Sequence, residues 1–300
     1  MSGPTGDWHT PARRHLRFCP EDEWGQCPDE PDWQTVPIVG DGLRLGATRR
    51  CFRPDTQYGG GRRSVHLLSV LEAAGSLVTR PWPQLAALLL DMALCRTSGE
   101  LASYCMDLYT PSASRRALGA VAERLELTAS GRTGDMLLSL SLRGRSVEAN
   151  DTLAEADFDY SAIDPVPFRF ARAVVQLQGQ VVTGVEQLSI RVENGLAAGP
   201  SCTGLIAYLA AGQRSISVEL RKLADDAALH EALREGGTLS LSMTASHPLG
   251  HVLSLALPAL HPTSVDEEAE PDELARAGVN LEAGIDEAGD DITYELTLEE

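Results

Sequence analysis

The sequence predicts a mainly β protein built from repeated half-buried strands, with two short helices beside them. Three observations carry this. Apolar and polar side chains alternate with a period of two in "LSIRVENGL" (residues 188–196), "RSISVEL", "GTLSLSMT", "MLLSLSL" and "ITYELTL", so each segment sets one face on a core and the other in water. Turn-forming residues bound these segments, as "SGRTGD" does between two of them. Helical spacing is confined to two stretches.

Residues 1–32, rich in Pro, Asp, Glu and Trp and without sustained periodicity, read as an extended N-terminal arm. A first β unit spans 33–150. It opens with "WQTVPIVGDGLRL", a short strand that contains Pro37 and so belongs at an edge or a bulge. "FRPDTQYGGGRR" is a loop by composition, "SVHLLSVLEA" a strand, and Gly75 separates it from the apolar "SLVTRP". "WPQLAALLLDMAL" is a helix: Pro83 suits a first turn, and Leu85, Leu88, Leu89 and Met92 recur at helical spacing. Strands return in "LASYCMDLYT", "VAERLELTAS" and "DMLLSLSLRGR".

The connector "EANDTLAEADFDYSAIDPVP" leads to a second unit over 165–300. There "FRFARAVVQLQG" and "GVEQLSIRVENG" read as one hairpin, and "GQRSISVELRKL" as a further strand. "DDAALHEALREGG" is a short helix with Asp225 and Asp226 at its positive end and Gly236 past its last turn. "TLSLSMTA", "VLSLALPAL", "GVNLEAGI" and "DITYELTL" complete the unit, interrupted by "SVDEEAEPDELARAG", expected as a solvated loop or helical turn. Gly61-x-Arg63-Ser64-Val65-x-Leu67 is echoed by Gly212-x-Arg214-Ser215-Ile216-x-Val218, which leaves an internal duplication open.

Composition narrows the function classes. Of 300 residues, 43% are hydrophobic, enough for a sizeable core. No stretch approaches the 18 or so uncharged apolar residues of a membrane helix, and the first residues lack the apolar region of a secretory signal. The six cysteines (Cys19, Cys27, Cys51, Cys95, Cys105, Cys202) form no C-x-x-C pair, so reduced thiols are expected rather than a disulfide framework. A zinc site from Cys19, Cys27 and His15 gains nothing from their spacing. Net charge is −18, which disfavours a grip on nucleic acid. The charge is uneven: from Val265 onward 14 acidic residues face one arginine, Arg276, whereas between Gly42 and Ser64 six arginines face only Asp55.

No motif makes a convincing enzyme. Gly40-x-Gly42-x-x-x-Gly46 follows a strand but no helix follows it, so a turn is the better reading than a phosphate loop. "GPSCTG" misplaces the second glycine of a nucleophile elbow, which leaves Ser201 and Cys202 without a catalytic setting. His247 and His251 have metal spacing only on a helix; Pro248 and Gly250 forbid one, so the rings need not converge and a hairpin tip is expected. "YGGGRR" lacks the Lys-Ser/Thr of a phosphate loop. No catalytic residue, cofactor or metal is assigned. Sheet edges and opposed charge patches point instead to self-association.

Across about Glu21 to Glu300 the sequence resembles the major tail tube proteins of long-tailed bacteriophages. The resemblance lies in the acidic-aromatic "EDEWGQCPDEPDWQTVPIVGDGL", the loop "RRCFRPDTQYGGGRR", the helix "WPQLAALLLDMAL" and "RALGAVAERLELTASGRTGDMLLSLSLRGRS". It continues through "VEQLSIRVENGL", "GQRSISVEL" and "DITYELTL". The acidic segment Asp266 to Glu273 and the cysteine-bearing arm depart from that pattern. The resemblance implies a β-sandwich or barrel with a flanking helix, in a structural virion protein that is not an enzyme. It implies six-fold rings, or trimeric ones if the chain is duplicated, stacked into a tube through which viral DNA passes unbound. Tape-measure and terminator proteins would be its other partners. Arg49, Arg50, Arg53, Tyr58, Arg62 and Arg63 are the candidate contacts between subunits or rings. Another tail component of the same fold and a β-sandwich ligand-binding module are the alternatives.

Overall fold

A computed structural model describes residues 14–40, 42–52, 67–97, 100–200, 205–223, 231, 233–268, 276–285 and 289–299. Strands β1 (His15–Pro20), β2 (Gln34–Val36), β3 (Leu43–Phe52) and β4 (Leu67–Thr79) lead to helix α1 (Pro83–Leu94). The minor strands β5 (Arg96–Thr97) and β6 (Glu100–Leu101) precede β7 (Tyr104–Tyr109), β8 (Arg115–Ser130), β9 (Met136–Gly144) and β10 (Ser146–Ala149). The second half begins with β11 (Ala173–Leu177), β12 (Gln180–Val181), β13 (Val185–Glu193), β14 (Ala197–Pro200), β15 (Ile206–Ala210) and β16 (Ser215–Leu223). Residues 231 and 233–235 are helical. Then follow β17 (Leu239–Ser246), β18 (Val252–Glu268), β19 (Arg276–Ala283) and β20 (Thr293–Thr297). The protein is mainly β, as the alternating pattern requires.

Sixteen strands share one antiparallel hydrogen-bonded sheet system. Its path is the same in both halves. The first half runs β2-β1-β7-β8-β9-β4-β3, and the second runs β12-β11-β17-β18-β19-β16-β13. β10 follows on β8 as β20 does on β18.

Registers agree as well as order. Gly46 lies opposite Ala74, Ala74 opposite Arg143, and Arg143 opposite Val121. In the second half Arg191, Ser217, Glu282 and His261 form the matching row. Both long strands also slip at matching places. Tyr104 pairs Ala120 and Met106 pairs Ala117, as Leu239 pairs Leu260 and Leu241 pairs Leu257. A second irregularity follows Ala122 in β8 and Pro262 in β18, which explains how a proline sits inside a 17-residue strand.

The strands alternate because their sequences do. Met136, Leu138, Leu140 and Leu142 of β9 are buried, as are Ile216, Val218 and Leu220 of β16 and Leu239, Leu241 and Met243 of β17. Together with Leu85, Leu89 and Met92 of α1 they join one contiguous core that runs through both halves. Each fully buried Leu of this kind contributes roughly 1.5–3 kcal/mol. Helix α1 starts at Pro83 and turns into extended backbone at Cys95.

Several sequence expectations are corrected here. "FRFARAVVQLQG" and "GVEQLSIRVENG" do not pair: positive φ at Gln178 and Gly179 closes a tight turn from β11 to β12, and β13 pairs with β16 and β8. β4 runs unbroken through Gly75. Val265–Glu268, expected in a solvated loop or helical turn, extends β18; residues 269–275 lie outside the described residues. Residues 61–66 of the echo lie outside the described residues; in the pairing rows Ser217 takes the place of Ala74. Within the segment expected to be an extended arm, His15–Pro20 is strand β1 between β2 and β7. Beyond it, the Glu21 carboxylate accepts the N–H groups of Gly25 and Gly119, and the Trp24 indole covers Gly119. No helix among the described residues is long and apolar enough to cross a membrane.

Candidate assembly interface

The two halves meet edge to edge. β13, the last strand of the second-half path, pairs with Arg124–Ser130 of β8, in the register Leu188 to Ala129, Ile190 to Leu127 and Val192 to Leu125. Those six side chains are buried. On the opposite face Arg191 reaches Glu126 at 3.3 Å and Arg124 reaches Glu193 at 2.8 Å, so two of the four polar pairs across the seam are also charge pairs.

Asn194 closes one end of this seam. Its amide donates to Ala93 O and Ala122 O, and its carbonyl oxygen accepts from Arg96 and Arg214. Arg214 also pairs with Asp291 at 3.0 Å. No side-chain pattern marks Asn194 in the sequence, because its partners are two backbone carbonyls and two distant arginines.

Among the edges that have no strand beside them in the described residues, two lie on long strands. One is the side of β3 away from β4. The other is the far end of β18, beyond Leu260, on the side away from β19. The β3 edge borders an open groove of about 870 Å³ lined by Arg14, Leu43, Arg44, Leu45, Leu108 and Arg115, among others. Arg14 donates to Leu43 O and Arg115 to Leu45 O, both at 3.5 Å. These are long contacts, at the limit of a hydrogen bond.

The arginine-rich candidates fall on and after this edge. Arg49 and Arg50 lie on β3, where Arg49 is opposite Leu71. Arg53, Tyr58, Arg62 and Arg63 lie outside the described residues.

A buried ionic cluster sits nearby, at the base of the arm. Asp107, fully buried, accepts from Arg17 (3.1 and 2.9 Å), Arg116 (2.8 and 2.9 Å) and Asn150 (3.1 Å). The Arg17 guanidinium also lies 4.3 Å from the Trp33 ring centroid. Burial acts to raise the Asp107 pKa, but the hydrogen bonds from Arg116 and Arg17 outweigh it and hold the carboxyl below its ordinary value. The same hydrogen bond to Asp107 raises Arg116.

The histidine pair considered for a metal lies within the described residues. His247 and His251 flank the β17–β18 turn, as the hairpin reading expects, yet their rings do converge, stacked with centroids 5.1 Å apart. A tight turn brings together what a helix would have. Asp164 lies close enough to complete a three-ligand group. However, His247 Nδ1 accepts from Leu249 N and His251 Nδ1 from Glu299 N, while His247 Nε2 faces Val166 O. A ring bound to a metal through one nitrogen needs the other to donate, so these contacts do not fit a metal.

His15 and Cys19 do not share a site either. They are four residues apart on β1, roughly 13 Å along an extended strand. His15 Nδ1 instead meets Tyr160 OH at 2.8 Å, and Cys19 lies opposite Cys105. Four cysteines are free thiols: Cys19 and Cys105 buried, Cys27 half-buried, Cys95 exposed. Gly40 forms the expected turn, with φ of 55°. Ser201 and Cys202 lie outside the described residues.

What the arrangement offers chemically, among the described residues, is unpaired strand backbone along the β3 and β18 edges. The sequence profile of one family, described as phage tail tube protein, matches residues 11–298. No curated protein matches the chain by sequence.

Proposed function

The chain belongs to the phage tail tube protein family, structural components of virion tails, and on that premise we propose that its copies close head-to-tail into rings that stack as a conduit for viral DNA. The observation that supports this most directly is the strand path repeated in both halves and joined through β8 and β13. A junction between two unlike edges is heterologous, and such contacts close into a ring when the rotation between copies divides a full turn. Each chain counts as two units in this reading. Three chains then supply six sheets, so the ring is a trimer where single-unit subunits would need a hexamer.

The solvent face of the central strands is the proposed lining of the bore. Its arginines are neutralised one by one: Arg124 by Glu193, Arg143 by Glu72, Arg191 by Glu126 and Arg221 by Glu219. Free cations would each add counterion-release affinity for passing DNA. Paired ones do not, and the surplus carboxylates repel the polyanion within about 8 Å at physiological salt. The role is architectural and calls for no catalyst or cofactor. The segment carrying Arg53, Tyr58, Arg62 and Arg63 is assigned to contacts between copies, together with Arg49 and Arg50. Tape-measure and terminator proteins are the proposed tail partners.

Negative-stain microscopy of the purified protein, with sedimentation, tests this. Hollow tubes with three chains per ring are expected, and Arg62→Ala with Arg63→Ala should weaken their assembly. A protein that stays monomeric at every concentration would overturn the proposal.

A further inference from the structure

We infer that the exposed edge of β3 docks onto the far end of β18 of a second copy, in a register set by the seam already present within each chain. The inference rests on the ring reading above and adds to it which edges meet and which residues face one another.

The matching pairings fix residue equivalents on both sides of the seam. Gly46 of β3 occupies the place of Arg191 in β13, so Leu43, Arg44 and Leu45 stand where Leu188, Ser189 and Ile190 do. Glu126 lies opposite Ser139, and Asp266 lies opposite Gly278 at the same point of the β18–β19 ladder. Asp266 therefore takes the place of Glu126. Repeating the β13–β8 register between copies sets Gly46 against Asp266, Ala47 against Val265 and Arg44 against Glu268.

Three features of the free edges suit this occupant. Both edges are unpaired among the described residues, and each is the counterpart of one that the internal seam covers. The charges are complementary: the groove beside β3 holds Arg14, Arg44 and Arg115, whereas β18 ends in Asp266, Glu267 and Glu268. With Arg44 opposite Glu268 and diagonal to Asp266, one cation meets two carboxylate-bearing positions on one face. Among the described residues, the carbonyls of Leu43 and Leu45 are met by the Arg14 and Arg115 side chains at 3.5 Å, which the N–H groups of an incoming strand would displace.

The test is site-directed linkage. Gly46→Cys and Asp266→Cys are placed in one chain; a side chain at Gly46 meets nothing within 4 Å, and Asp266 is exposed. Assembled protein is treated with a short bismaleimide beside the wild type and both single variants. The expected result is linked species ending at three chains, formed only by the double variant. Tubes that form normally but link no more than the controls would overturn this interface while leaving the tube reading intact. A wild-type protein that forms no rings or tubes would overturn both.

Charge reversal gives a second readout. Arg44→Glu should raise the protein concentration needed for assembly about tenfold, an energy of about 1.4 kcal/mol, and adding Glu268→Arg should restore it. Assembly indifferent to both changes would also overturn the inference.

Discussion

The side-chain amide of Asn194 donates to the carbonyl oxygen of Ala93 at 2.9 Å, tying the strand end of β13 to the last turn of α1. The same nitrogen reaches Ala122 O at 3.1 Å, and Asn194 is 0% exposed. One residue of the second half thus satisfies two carbonyls of the first and holds Arg96 and Arg214 in place. Asn194→Ala strands all of these groups in a buried site, and unsatisfied buried groups cost about 1–3 kcal/mol apiece. The variant should lose about 2–3 kcal/mol in urea unfolding. A loss below about 0.5 kcal/mol would show that water replaces the amide freely.

Glu126 offers the contrast on the same seam. Its pair with Arg191 spans 3.3 Å with the arginine side chain 45% exposed. Solvated pairs of this kind contribute about 0.2–1 kcal/mol. Glu126→Gln should therefore lower stability by less than about 1 kcal/mol in the same assay, because the apolar face and the strand hydrogen bonds hold the seam.

Asp107 predicts a pH dependence. Its folded pKa lies below the ordinary 3.8, so its contribution is fully present above that value. It is lost as pH falls through the lowered folded value. At pH 7, Asp107→Asn removes the charge that balances Arg17 and Arg116, and breaking such a buried pair costs about 3–5 kcal/mol. Denaturant curves of wild type and variant should converge as pH drops below about 4. Parallel curves across that window would remove Asp107 from the acid response.

The thiols should be slow to react. Burial, then the neighbouring Cys27, push Cys19 up to about 12. Burial and the hydrogen bond to Asp91 push Cys95 up to about 11. Both therefore hold their protons at neutral pH, and the thiolate is the reactive form. Iodoacetamide at pH 7.5 should leave Cys19 unlabelled in the native protein and modify Cys95 more slowly than a free thiol. Mass spectrometry showing rapid native labelling of Cys19 would contradict this.

What the sequence disclosed followed distance along the chain. Period-two burial in β9, β13, β16 and β17 was legible, as were the Pro83 start of α1 and the hairpin tip at His247–His251, because each depends on neighbours only. Pairing was less so. The hairpin expected before Glu193 failed because Gln178 and Gly179 turn the chain early and free β13 for β8, more than 50 residues upstream. The two halves match in pairing registers more than in identities: Ala74 stands where Ser217 does, and Gly46 where Arg191 does. Asp107 escaped notice because its meaning lies in Arg17 and Arg116 on other strands. The arginine run was read for its charge, while the structure's clearest offering at that place is the β3 backbone edge itself.

The connection between β8 and β13 is covalent through the intervening chain as well as hydrogen-bonded. A linked pair meets at an effective concentration that dilution does not alter, of millimolar order for short flexible tethers. This seam therefore closes as a first-order event, at the same rate in a dilute lysate as in a concentrated stock. Bimolecular encounter is left to govern the other contacts alone.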